Sequence, residues 1–258
     1  MGIFSFSEKE ILAFFLVLMR MSAFVVSWPV FGIQKVPAPV KILFALVMSL
    51  VIFPVISWKQ ISVDLESLHI IWLVGREIFI GVAFGFLARI FFFAISIAGQ
   101  IMSTTLGLSS SQLFNPAMGE QTSSLEQFEI ALATLFFLFF QGHLIFISGL
   151  VESFQFLPLS MKGIQLQSGI HFSEMVSSVM LIGFKLSAPV LVSIFFMNIS
   201  MAIIGRTVPQ INVLITSLPV NILVGFIVLI FSMPMLVWQF KDVLNVSIEQ
   251  VFGLMKTF

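Results

Sequence analysis

Six long apolar runs, near 11–33, 40–57, 68–98, 128–151, 175–205 and 213–238, constrain this chain more than any other feature. A helix crossing a hydrocarbon layer of ~30 Å takes roughly 20 apolar residues. Five of the runs reach that length, and 40–57 is marginal. The runs are continuous rather than alternating, which excludes a barrel of ten-residue strands. Inside lipid, the helix is then the remaining way to satisfy every backbone N–H and C=O. The expected class is all-α and membrane-associated. Charge agrees: 9% of the 258 residues are charged, against about 25% in soluble domains, too few to keep a soluble surface apart.

The same scarcity excludes several functions. Twelve basic and twelve acidic residues cancel, so nothing points to nucleic acid or to a polybasic lipid-binding patch. No cysteine occurs, which excludes disulfides, thiolate metal sites and cysteine nucleophiles. The first apolar run follows Glu8, Lys9 and Glu10 and lacks a small-residue cleavage site, unlike a signal peptide.

Two features depart from a plain bundle in lipid. Prolines interrupt the runs at Pro29, Pro54, Pro189, Pro219 and Pro234, and each removes a donor and bends or ends a helix. Basic residues punctuate apolar surroundings at Arg20, Arg76, Arg89, Lys185 and Arg206. A charge at the bilayer centre costs at least ~2.5–3.5 kcal/mol, so each must snorkel, pair, or face protein or water. Arg76 adjoins Glu77, but helix neighbours point about 100° apart and pair poorly. The expected partners therefore lie on other helices or other chains. Trp28, Trp58, Trp72 and Trp238 sit towards segment ends, which suits membrane interfaces. The loop charges are mixed and do not orient the chain.

Catalytic patterns are weak. His69, His143 and His171 stand apart from one another and from metal-like carboxylate spacings. Gly107-Leu108-Ser109-Ser110 with His143 downstream imitates an intramembrane serine protease, but that pattern needs glycine directly after the serine. A small-solute transporter needs intramembrane carboxylates or matching broken helices in two halves; Glu77 is the carboxylate deep in an apolar run, and no internal symmetry is visible. Gly81 and Gly85 form a GxxxG, with Ala94 and Ala98 at the same spacing, a pattern that lets two backbones approach closely.

The most unusual stretch runs from about 99 to 124. It is rich in Ser, Thr, Asn and Gln, contains Gly107, Pro116 and Gly119, and has Glu120 as its charge before Glu126. Ser123-Ser124-Leu125-Glu126 has capping-box form and should open the next helix. Loops beyond ~12–15 residues are uncommon unless functional or disordered. Polar yet nearly neutral, the stretch reads equally as an exposed loop or as a movable constriction in a water-filled path.

These residues resemble the FliR family of flagellar biosynthetic proteins, export-gate components whose virulence counterparts serve type III injectisomes. The resemblance spans nearly the whole chain. It includes Arg20 with Trp28-Pro29-Val30-Phe31, then Pro54, then Arg76-Glu77 through Gly81 and Gly85 to Phe86. Ala98-Gly99-Gln100-Ile101-Met102 follows, then Asn115-Pro116, where the family usually has Asp-Pro. Gln141-Gly142-His143 is similar to the family's Asn-Gly-His, and Ala188-Pro189-Val190 through Arg206-Thr207-Val208-Pro209-Gln210 to Leu218-Pro219 is the most specific part.

The resemblance implies helical hairpins with Pro-broken helices, a FliP-like part over 1–172 and a C-terminal FliQ-like hairpin over 173–258. It implies a helical hetero-oligomeric pore with FliP-type and FliQ-type subunits and a FlhB-type protein. The setting would be the inner membrane at the flagellar basal body, with much of the assembly on the periplasmic side. Unfolded export substrates would pass without catalysis or cofactor. On this reading Gly107, Ser109, Ser110, Ser111, Phe114, Asn115 and Pro116 line or fill a closed plug. Gly81 and Gly85 would pack against neighbouring subunits, and buried Arg20, Arg76 and Arg206 would pair across chains.

Overall fold

The computed structural model describes residues 7–30, 36–56, 69–108, 123–159, 169–210 and 212–257. Helices account for nearly all of them, and no strand occurs among the described residues. In chain order they are α1 (Glu8–Ser27), α2 (Ala38–Ile52) with a 3₁₀ turn at Phe53–Val55, and α3 (His69–Leu106). Then come α4 (Ser124–Phe139), α5 (Gly142–Phe156), α6 (Gly169–Thr207) and α7 (Val213–Thr257). Two compact units emerge: one of Met1–Ile90, Gln141–Glu174 and Val246–Phe258, the other of Phe91–Phe140 and Met175–Asn245.

Local chemistry sets the helix ends. Ser7 and Glu10 form a reciprocal capping box, with Ser7 Oγ accepting from the Glu10 amide at 3.2 Å and Glu10 Oε2 from the Ser7 amide at 2.9 Å. Two of the four orphan donors of α1 are satisfied this way. Trp28-Pro29 ends the helix, since proline disfavours helical geometry in the residue before it. Pro54 tightens the end of α2 into the 3₁₀ turn. Pro189, Pro219 and Pro234 instead lie inside α6 and α7, which continue through them. The expectation of a broken run is met at a position with no proline: 128–151 divides at Phe140–Gln141, where Gln141 takes the left-handed conformation with φ 59°.

Among the described residues, five segments are long and apolar enough to cross a membrane: Glu8–Ser27, Ala38–Val55, Ile70–Leu106, Val176–Thr207 and Ile215–Asn245. The marginal second run therefore qualifies, and the divided fourth run is two helices of 16 and 15 residues. At 1.5 Å per residue the 38 residues of α3 extend about 57 Å, nearly twice a ~30 Å hydrocarbon core.

In the first unit, α1 buries Ala13, Leu16, Val17, Arg20, Met21, Phe24 and Val25, a stripe at three- and four-residue spacing. Phe14 meets Phe53 beyond α2 edge-to-face, with ring centroids 5.6 Å apart. Trp28 is buried against Phe24 at 4.9 Å, so it is a core residue rather than an interfacial one; Trp72 and Trp238 are exposed. The opposite face of α2 leaves Ile42, Leu43, Val47, Leu50 and Val51 uncovered.

The GxxxG of α3 meets α1 of the same chain, not a neighbouring subunit. A Cβ at Gly81 would collide with the Arg20 carbonyl and stand 2.8 Å from Ala23 Cβ; one at Gly85 would collide with Ser27 Oγ and stand 2.7 Å from Ser27 Cβ. Bare backbone is what lets the two helices approach. Gly85→Leu is expected to lower stability by about 1–3 kcal/mol or more through overpacking, read as an earlier thermal transition of the detergent-solubilised chain. Gly75, with open space around it, serves as the neutral control.

In the second unit, Phe91 and Phe92 converge on Phe137 at 5.8 and 5.5 Å, and Phe136 meets Phe240 at 5.8 Å. Gly225 lies where the Leu106 side chain presses on α7.

Candidate functional site: a glycine-ended helix and a buried charge cluster

The C-terminal turns of α3 lead into the segment singled out above, and they are more ordered than its composition implies. Residues 99–106 are helix, not loop. Thr104 and Thr105 bond their hydroxyls back to the carbonyls of Gln100 and Ile101 at 2.9 and 2.7 Å. Such back-bonding satisfies polar side chains within a helix, and Met102 is fully buried. The helix stops at Gly107, whose φ of 81° only glycine adopts readily. Leu108 N–H donates to the Ser103 carbonyl at 3.0 Å and Gly107 N–H to the Thr104 carbonyl at 3.1 Å, the paired bonds of a Schellman motif. Gly107→Ala is expected to cost roughly 1 kcal/mol, seen as faster hydrogen exchange in the last turn of α3.

Of the seven expected plug residues, Gly107 is thus a helix terminator. Ser109, Ser110, Ser111, Phe114, Asn115 and Pro116 lie outside the described residues. On the far side, Ser123 caps α4 by accepting from the Glu126 amide at 3.1 Å. The glutamate of this expected capping box points elsewhere: Glu126 Oε1 accepts from Ser96 Oγ at 2.5 Å.

The first unit holds a buried charge cluster. Arg20, with no exposure, donates from Nε to Glu77 Oε2 at 2.6 Å, from Nη1 to Ser153 Oγ at 2.9 Å and from Nη2 to the Leu157 carbonyl at 3.0 Å. Its guanidinium lies 3.9 Å from the Phe154 ring centroid, within cation–π range. Arg76 donates from Nη1 to Glu77 Oε1 at 3.3 Å and to the Pro158 carbonyl at 3.0 Å. Glu77, fully buried, therefore serves two arginines with its two oxygens. Arg20 and Arg76 are partnered within the chain rather than across chains. The sequence reading missed this because Glu77 reaches Arg20 over 57 positions. The available signal was Glu77 itself, a lone carboxylate in an apolar run, with Arg76 beside it and Arg20 in another run.

Arg206 is exposed, not buried. It sits in the last turn of α6, where orphan carbonyls and the helix dipole favour a cation. Arg89 and Lys185 are also exposed. In the second unit Asn221 Nδ2 donates to the exposed Asn198 Oδ1 at 3.0 Å, linking α7 to α6. His143 stands in the first turn of α5, and no group of three metal-binding side chains occurs among the described residues.

The family model "Bacterial export proteins, family 1" matches residues 11–246. The flagellar biosynthetic protein FliR of Bacillus subtilis strain 168 is 31% identical over 246 residues, covering 94% of each chain. FliR of Escherichia coli K12 is 29% identical over 223 residues, covering 86% of this chain and 85% of the relative. The Yop proteins translocation protein T of Yersinia pestis is 28% identical over 246 residues, 93% of each chain.

Proposed function

Because the chain belongs to the bacterial export proteins, family 1, we propose that it is a structural and gating subunit of the flagellar type III protein export channel. The observation that carries this is the family match across nearly the whole chain, with a FliR protein at 31% identity among the relatives. The FliP-like part would be 1–172 and the FliQ-like hairpin 173–258. FliP-type and FliQ-type subunits and a FlhB-type protein are the partners, in the inner membrane at the basal body, with much of the assembly on the periplasmic side.

Two features of the molecule support a shared assembly. The apolar faces of α2, α6 and α7 are largely uncovered. That of α6 is not purely apolar, since Lys185 and Asn198 are exposed on it. Lipid penalises such groups, whereas a neighbouring subunit or a water-filled path accommodates them. The α3 helix also outruns the bilayer, as expected of an assembly raised partly out of it.

Conduction rather than catalysis is the work. On this reading the segment of about 99–124, in which Gly107 ends α3 and Ser123 caps α4, closes the path until an unfolded substrate engages. The likeness to the Yersinia translocation protein favours a second reading, an injectisome gate with the same mechanism and different cargo. Co-expression with FliP- and FliQ-type proteins, followed by purification on a C-terminal tag in mild detergent, tests the assembly. One complex larger than any single component is expected. A lone, well-behaved chain that binds a small solute returns the transporter reading.

A further inference from the structure

The second unit contains a pair of buried carboxyl groups with no cation paired to them among the described residues. Glu126 and Glu129 lie three apart on α4, hence on one helix face, and both are buried, at 7% and 4% exposure. They sit over Gly99 of α3: a Cβ there would stand 2.8 Å from Glu129 Oε2 and 3.3 Å from Glu126 Cβ. The two carboxyls differ in their surroundings. Glu126 accepts the Ser96 hydroxyl and belongs to the capped first turn, where the helix dipole favours an anion. Glu129 lies one turn further in, and its Oε1 is enclosed without any hydrogen-bond partner. No arginine or lysine among the described residues forms an ion pair with either. Glu126 is the charged group that acts on Glu129 from its own helix, and α3 presents the uncharged Ser96 and Gly99.

A buried carboxylate with neither cation nor donor is too costly to persist, and such groups neutralise instead. We propose that Glu129 is a proton-binding site, held as the neutral acid, so that one exchangeable proton is stored between α3 and α4. The glycine at 99 leaves room for the neutral carboxyl against the α3 backbone. This site is independent of the export reading.

Infrared spectroscopy of the full chain in lipid nanodiscs tests the site at neutral pH. A protonated-carboxyl stretching band that shifts in heavy water is expected. Glu129→Gln should remove it, Glu129→Asp should move it, and Glu126→Gln should leave it in place. Absence of the band from the unsubstituted chain overturns the proposal, and needs no variant to fold. So does a band that survives in folded Glu129→Gln. Loss of the band on adding sodium at constant pH would mean that a metal cation, not a proton, balances the pair.

Discussion

Glu77→Gln is expected to be more damaging than Arg20→Met, although arginine is the larger side chain and makes more contacts. Glu77 is the shared anion of its cluster, with one oxygen on Arg20 at 2.6 Å and the other on Arg76 at 3.3 Å. Neutralising it strands two guanidinium groups beside each other. Removing Arg20 leaves Glu77 still paired with Arg76, and the methionine stem fills much of the space. Breaking a buried pair by removing one partner costs roughly 3–5 kcal/mol, because the remaining charge is uncompensated. Arg20→Met should fall at or below the low end of that range and Glu77→Gln at or above its high end. Arg20→Lys should not rescue the arginine. One ammonium cannot reproduce three donors aimed at Glu77, Ser153 and the Leu157 carbonyl. Thermal unfolding in detergent, followed by fluorescence-detected size exclusion, would rank the variants. Equal losses for Glu77→Gln and Arg20→Met would show that Glu77 is not the common counter-ion.

Deleting 109–116 is expected to leave assembly largely intact while raising the ion permeability of the membrane several-fold. The deletion falls between two self-contained stops. The Schellman motif at Gly107–Leu108 completes α3 with its own carbonyls, and Ser123 completes α4 with its own hydroxyl. Neither helix needs the intervening residues for its terminal hydrogen bonds, and six remain, 117–122, to join the ends. The core of the second unit, around Phe91, Phe92 and Phe137, is untouched. Conductance of the co-purified complex in planar bilayers, compared with the undeleted complex, gives the readout. Unchanged permeability in an assembled deletion complex would remove the plug from the mechanism.

Much of this protein was legible in the amino-acid order because its strongest signals are local. Uninterrupted apolar runs specify helices wherever the backbone has no water to bond. Ser7 and Glu10, Pro29, Pro54, Gly107 and Ser123 act over one turn, so helix ends follow from neighbours. The family resemblance was also carried by short motifs in a fixed order, and the match over 11–246 bears it out.

What only the tertiary structure decided involves positions far apart in the chain. Whether Gly81 and Gly85 face a partner subunit or α1 depends on which backbone comes close, and periodicity carries no such information. Burial decided among the cations: Arg20 and Arg76 are enclosed, while Arg206 is exposed at a helix end. Composition left 99–124 open between exposed loop and constriction, and only the structure shows 99–106 as helix, its threonine hydroxyls spent on the helix's own carbonyls. Glu129 shows the same division. Its place on a helix follows from the sequence around it, but its isolation from every described cation exists only once α4 lies over Gly99. A charge is defined by its residue; its cost is defined by what the fold packs around it.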